Sequence, residues 1–91
     1  MVSETLPGDD LVEVGIRDLR RNVESVSALL VSIGAPRLRR LGLPIPRTTI
    51  PSPELRLYER LRLIDPDAAH SRYNALVRRL VSYERAAECG R

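Results

Sequence analysis

Residues 16–33 read IRDLRRNVESVSALLVSI, and within them Ile16, Leu19, Val23, Val26, Leu30 and Ile33 recur at steps of three and four. An α-helix turns once in about 3.6 residues, so these steps keep all six side chains in one narrow stripe, the seam of a heptad repeat. The stripe predicts a single long helix that starts near Leu11, with Asp10 and Glu13 as start signals, laid against another helix of the same chain or of a partner.

Gly34-Ala35-Pro36 interrupts the pattern, because proline lacks the donor a helix interior needs and crowds the preceding turn. The first helix is expected to end or kink there, with Arg37–Leu41 resuming it for a turn before Gly42. Leu43–Pro53 holds four prolines and reads as extended loop. Ser52-Pro53-Glu54 then gives a helix start: a hydroxyl at the N-cap, proline at the first helical position, and an acid facing the positive end of the dipole. Asp65-Pro66-Asp67 repeats that signal, so the second helix should stop near Leu63 and a last one begin. In the last helix Tyr73, Leu76, Val77, Leu80, Val81 and Ala87 share one side, Arg72, Arg78, Arg79 and Arg85 lie mostly off it, and Gly90 is the stop. The expected fold is all-α, with three helices in one domain over residues 11–91 and a disordered lead over residues 1–10.

A core of 91 residues is marginal by itself. With no Phe or Trp and three Tyr, its apolar surface comes from Leu, Val, Ile and Ala, which suits helix packing and predicts a helical oligomer. No apolar run reaches the ~20 residues that span a bilayer, and the first ten residues have neither a basic nor an apolar stretch, so a cytoplasmic protein without a membrane partner is expected. The one cysteine, Cys89, has no partner for a disulfide or a shared metal. All 15 basic residues are arginine, whose planar fork binds carboxylates in pairs of hydrogen bonds. Residues 1–36 carry three arginines against six acids and residues 37–91 twelve against six, so the C-terminal part suits an anionic partner.

The order of long helix, proline-rich loop, medium helix and amphipathic helix resembles the helical chorismate mutases. Leu19-Arg20-Arg21-Asn22-Val23 looks like that family's opening Leu-Arg-x-x-Ile, and Gly42-Leu43-Pro44-Ile45 like its Gly-Leu-Pro-Val loop. Pro53-Glu54 with Tyr58-Glu59-Arg60-Leu61 looks like its second helix, and Ile50-Pro51-Ser52-Pro53-Glu54 is similar to an Ile-Pro-Ala-Pro-Glu stretch of the isochorismate pyruvate lyases. The resemblance, over roughly residues 11–88, implies an intertwined homodimer that needs no cofactor and no metal. Its substrate would be a small chorismate-like dianion in the pathway to the aromatic amino acids, with no nucleic acid expected.

Carried over residue by residue, the resemblance assigns Arg20, Arg37 and Arg39 to substrate binding, with Arg20 reaching into the partner's site. It assigns Arg40, or Arg39 in its place, to the ether oxygen, Glu54 to the substrate hydroxyl, and Glu88 to the position where a glutamine usually meets the ether oxygen. Two positions depart from the pattern: Pro53 stands where the mutases place a binding arginine, and Leu55 where relatives with that proline carry one. The implied reaction is a one-step rearrangement that requires restraint of the substrate and positive charge or a donor at the ether oxygen, not a nucleophile. Glu88 can donate only when protonated.

Two other classes of function fit parts of the chain. One is a non-catalytic, mutase-like scaffold or regulatory subunit, favoured by Pro53 and by the crowding of Arg37, Arg39 and Arg40 into one turn. The other is a small DNA-binding regulator, because Leu55–Pro66 looks like the MerR segment Leu-Arg-x-Tyr-Glu-Arg-x-Gly-Leu-Ile-x-Pro, in which Arg56 and Tyr58 would touch phosphates. Arg62 stands there in place of that family's glycine. His70 and Ser71 have no partners in the sequence that would make a ligand set or a triad.

Overall fold

The computed structural model describes residues 9–47 and 50–89, and those residues form four helices: α1 Asp9–Arg20, α2 Val26–Arg40, α3 Pro53–Ile64 and α4 Ala69–Cys89. No strand occurs among the described residues. The chain is all-α, but four helices stand where three were expected. The expected stop at Gly90 and residues 1–8 of the expected N-terminal lead lie outside the described residues, while Asp9 and Asp10 already belong to α1.

The expected long helix is divided at residues 21–25. Asn22 takes φ 58°, the left-handed conformation that asparagine tolerates better than most residues. Around it the Asn22 N–H donates to the Leu19 carbonyl at 3.1 Å and the Val23 N–H to the Asp18 carbonyl at 2.8 Å. These two bonds are the Schellman closure of a helix end. Ser25 then caps α2: its Oγ accepts from the Ala28 N–H at 3.1 Å and donates to Asp18 Oδ2 at 2.6 Å. The same hydroxyl therefore starts one helix and fastens it to the end of the other. Val23, placed in the seam by the heptad reading, is 45% exposed.

Folded back in this way, α1 covers α2 with Val12, Ile16 and Leu19. The closest approach is at Gly15, where an added Cβ would stand 2.4 Å from both the Ser27 carbonyl oxygen and Val31 Cγ2. The second interruption, Pro36, does not break α2. Leu38, fully buried beyond it, contributes about 2 kcal/mol of apolar burial, which offsets much of the ~3 kcal/mol that an interior proline costs. α2 ends with a second Schellman closure at Gly42, φ 93°, where the Gly42 N–H donates to the Arg39 carbonyl and the Leu43 N–H to the Leu38 carbonyl.

The connector packs Ile45, with Leu43 and Ile50 half-buried, onto the core, and the Ile50 N–H donates to Ser32 Oγ at 3.2 Å. Helix α3 starts at Pro53 as expected, yet the Ser52 hydroxyl makes no capping bond, because Ser52 sits at φ 48°. The turn after α3 is closed by Asp65, whose Oδ1 accepts from the Asp67 N–H and whose carbonyl accepts from the Ala68 N–H. α3 and α4 meet through Tyr58 and Tyr73, edge to face with centroids 6.1 Å apart. α2 is thus covered by α1, α3 and α4, which explains why Ala28 to Ser32, Gly34, Ala35 and Leu38 are all buried.

Ser25→Ala should lower unfolding stability by about 1–2 kcal/mol, since it removes a cap and a partner of Asp18 together; chemical denaturation checks it. Gly15→Ala should destabilise by about 1–3 kcal/mol despite alanine's higher helix propensity, because backbone cannot yield at 2.4 Å. Gly34→Ala should cost less, since its nearest neighbour, at 2.9 Å, is the mobile end of Glu84.

Candidate functional site

Three of the six residues expected at an anion site come together where α2 crosses α4. Arg37, on the last turn of α2, stands with Nη1 3.6 Å from Glu84 Oε1 and Nη2 3.3 Å from Glu88 Oε1. Arg40, one turn on, lines the same shallow cleft with Ile33, Pro36, Val77 and Val81, a volume of about 260 Å³. The walls come from the apolar face of α4, and Gly34 lets that helix approach closely enough for Leu80 and Glu84 to touch α2.

The other three expected residues lie apart. Arg39 points to the connector and donates from Nη2 to the Pro46 carbonyl at 2.5 Å and to the Arg47 carbonyl at 3.4 Å. Arg20 is exposed at the end of α1, and Glu54 is exposed in the first turn of α3. The charge of Glu54 adds to burial in pushing the Tyr73 phenol above its ordinary range.

The residue that sequence reading missed is Glu84. It is 5% exposed, the one buried acid among the described residues, and burial pushes its carboxyl above the ordinary value of 4.5 while the Arg37 guanidinium pulls it back in part. Its sequence signal was its place: four residues after Leu80 and four before Glu88, an acid inside the apolar stripe of α4. Chemically, the cleft is lined by two guanidiniums, Arg37 and Arg40, and by the Glu84 carboxyl, which is readier than usual to hold a proton, while Glu88 meets Arg37 from the exposed edge. With both acids ionised the four charges balance.

A second cluster ties the α1–α2 link to α3. Arg56 donates to both carboxylate oxygens of Glu24, at 2.6 and 3.2 Å, and Arg60 donates to the Glu24 carbonyl at 2.7 Å. The Arg56 bonds hold the Glu24 carboxyl below its ordinary range. Arg56 and Tyr58, the phosphate contacts of the MerR-like reading, are therefore bonded to Glu24 and packed on Tyr73 respectively. Among the described residues no three of His, Cys, Asp and Glu cluster as metal ligands, and no helix is long and apolar enough to cross a membrane. His70 and Ser71 are exposed at the start of α4.

Because the folded Glu84 carboxyl titrates above the unfolded one, the folded state takes up a proton first as pH falls. Its penalty on stability is therefore present at neutral pH and is relieved as pH drops through the folded pKa. Wild-type protein should gain stability relative to Glu84→Gln as pH falls from neutral towards the ordinary carboxyl value of 4.5, read as the difference between their denaturation free energies. A difference that does not change with pH would contradict the assignment.

Comparison of the chain with family models, with curated proteins and with solved structures gave no match.

Proposed function

We propose that this chain is a non-catalytic helical scaffold or regulatory subunit, which acts in the cytoplasm by being bound and does not itself rearrange a chorismate-like substrate. The observation that carries the reading is the state of the arginines expected to clamp a dianion. Arg37 already faces Glu84 and Glu88, and Arg39 holds two loop carbonyls. A dicarboxylate entering the α2–α4 cleft would have to bring its own negative charges beside two resident carboxylates before it could take Arg37, and like charges at such range repel. Glu54 lies in the first turn of α3, outside the cleft lining, and Arg39 is turned to the connector, so within one chain the restraint that the rearrangement needs is not gathered around one ligand.

The intertwined dimer implied by the family resemblance also requires an unbroken first helix. Here Asn22 and Ser25 turn that segment back on its own chain. Association with a partner would then use a different surface.

One observation favours the mutase reading as the second choice: Arg37 and Arg40 share a cleft with Glu84, a carboxyl whose raised pKa suits a proton donor to an ether oxygen, and Glu88 pairs with Arg37 beside it. Chorismate incubated with the purified chain separates the two. We expect no loss of chorismate absorbance above the uncatalysed rate at any pH from about 5 to 8. Turnover abolished by Arg37→Ala, with the helical circular dichroism unchanged, would overturn the scaffold reading in favour of the mutase.

A further inference from the structure

Helix α4 turns Leu80 and Glu84 onto α2. A different stripe of the same helix runs through Arg72, Ala75, Leu76 and Arg79, which helical spacing keeps on one face. With Val26 of α2 and Leu61 and Ile64 of α3, this stripe lines a hollow of about 350 Å³. That volume falls at the lower end of the ~300–1,000 Å³ of small-molecule pockets. The hollow shares no residue with the α2–α4 cleft.

Its chemistry is divided between floor and rim. Leu61 is buried and Val26 and Leu76 are half-buried, while Ile64 stands beside them as an apolar wall left 62% exposed. Ala75 is the small residue that leaves the space open, since a larger apolar side chain there would fill it. No acid among the described residues lines the hollow, and its two charged residues are both exposed arginines. The Arg72 guanidinium makes no hydrogen bond or ion pair among the described residues, and Arg79 makes a loose pair with Asp10 at 3.7 Å. Asp65 and Asp67 lie in the α3–α4 turn outside the lining, where Asp65 Oδ1 is engaged by the Asp67 N–H. An apolar basin with an unneutralised guanidinium at its edge is complementary to one class of small molecule, a single negative charge carried on an apolar body.

We propose that the α3–α4 hollow is a binding site for a small amphipathic monocarboxylate of the medium-chain fatty acid class, with its tail on Leu61, Ile64 and Leu76 and its carboxylate on Arg72. The planar guanidinium can donate to both carboxylate oxygens at once, which fixes the head while the tail covers the Ile64 wall. Both halves of the ligand are required. An inorganic anion would meet an exposed arginine alone, where water screens the charge, and a neutral chain of the same length would leave Arg72 unsatisfied. One carboxylate matches the one rim guanidinium without a partner. The site goes beyond the scaffold reading and does not rest on it, and because the two clefts share no residue the chorismate assay and the test below fail separately.

Titration of the whole chain with sodium octanoate, followed by backbone amide chemical shifts, tests the site. We expect saturable shifts centred on Val26, Leu61, Ala75 and Leu76, with a Kd on the order of 1 mM. Octan-1-ol and acetate, each with half the chemistry, should bind at least about 10-fold more weakly. Ala75→Phe should abolish the shifts by filling the hollow, with helical circular dichroism unchanged because Ala75 is exposed on α4. Arg72→Gln should weaken octanoate about 10-fold and leave octan-1-ol as it was, a split that a general loss of structure would not produce. Absence of a saturable shift, shifts that survive Ala75→Phe, or octan-1-ol equal to octanoate would each overturn the proposal. So would shifts spread along the whole chain, or binding to anionic phospholipid vesicles with none to free octanoate.

Discussion

The first turns of helix α2 have no face to give to water. Ala28 through Ser32 are buried around its whole circumference, with Gly34, Ala35 and Leu38 buried beyond them, and a helix of that kind is stable only when other helices enclose it. A 91-residue chain has little material to do this. It answers by turning its own N-terminal segment back as α1 and by bringing α3 and α4 against the remaining sides. Gly15 and Gly34 are the positions where enclosure demands a missing side chain, one under α1 and the other under α4. The Asp18–Ser25 bond and the Glu24 clamp by Arg56 and Arg60 lie at the end of the molecule where α1 gives way to α2 and α3 comes alongside.

Much of this was legible in the sequence, and the failures have definite causes. The start of α3, the loop between Gly42 and Pro53, and the apolar face of α4 followed from proline and periodicity, whereas the Ser52 hydroxyl makes no capping bond and Asp65-Pro66-Asp67 forms a turn with α4 starting only at Ala69. The heptad seam is not one helix, because the breakers inside it outrank its period. A stripe at steps of three and four describes one helix or two, according to whether the backbone continues at Asn22, and asparagine followed three residues later by serine is a stop-and-start pair. Pro36 is the opposite case: of the two outcomes it allows, an end or a helix resumed through Arg37–Leu41, the structure has the helix continuing to Arg40, because Leu38, two residues on, has a place in the core.

The site was legible in half. Arg37, Arg40 and Glu88 meet because positions near the ends of two amphipathic helices come together once α2 and α4 are packed side by side in the same direction. Arg20 and Glu54 were assigned by analogy with a chain whose first helix is continuous, and their separation follows from the turn at Asn22. Glu84 escaped notice because an acid in an apolar stripe reads as an exception to the stripe. Burial makes that exception the most perturbed acid in the cleft.

The arginine content bears on what such a molecule can recognise. Arg37, Arg39, Arg56 and Arg60 all bond to groups of their own chain, joining helix to helix or helix to loop. A guanidinium placed in this way is a structural part, since its fixed fork satisfies two acceptors at once with little further loss of freedom. The basic surplus of residues 37–91 is therefore no measure of anion affinity at a pocket.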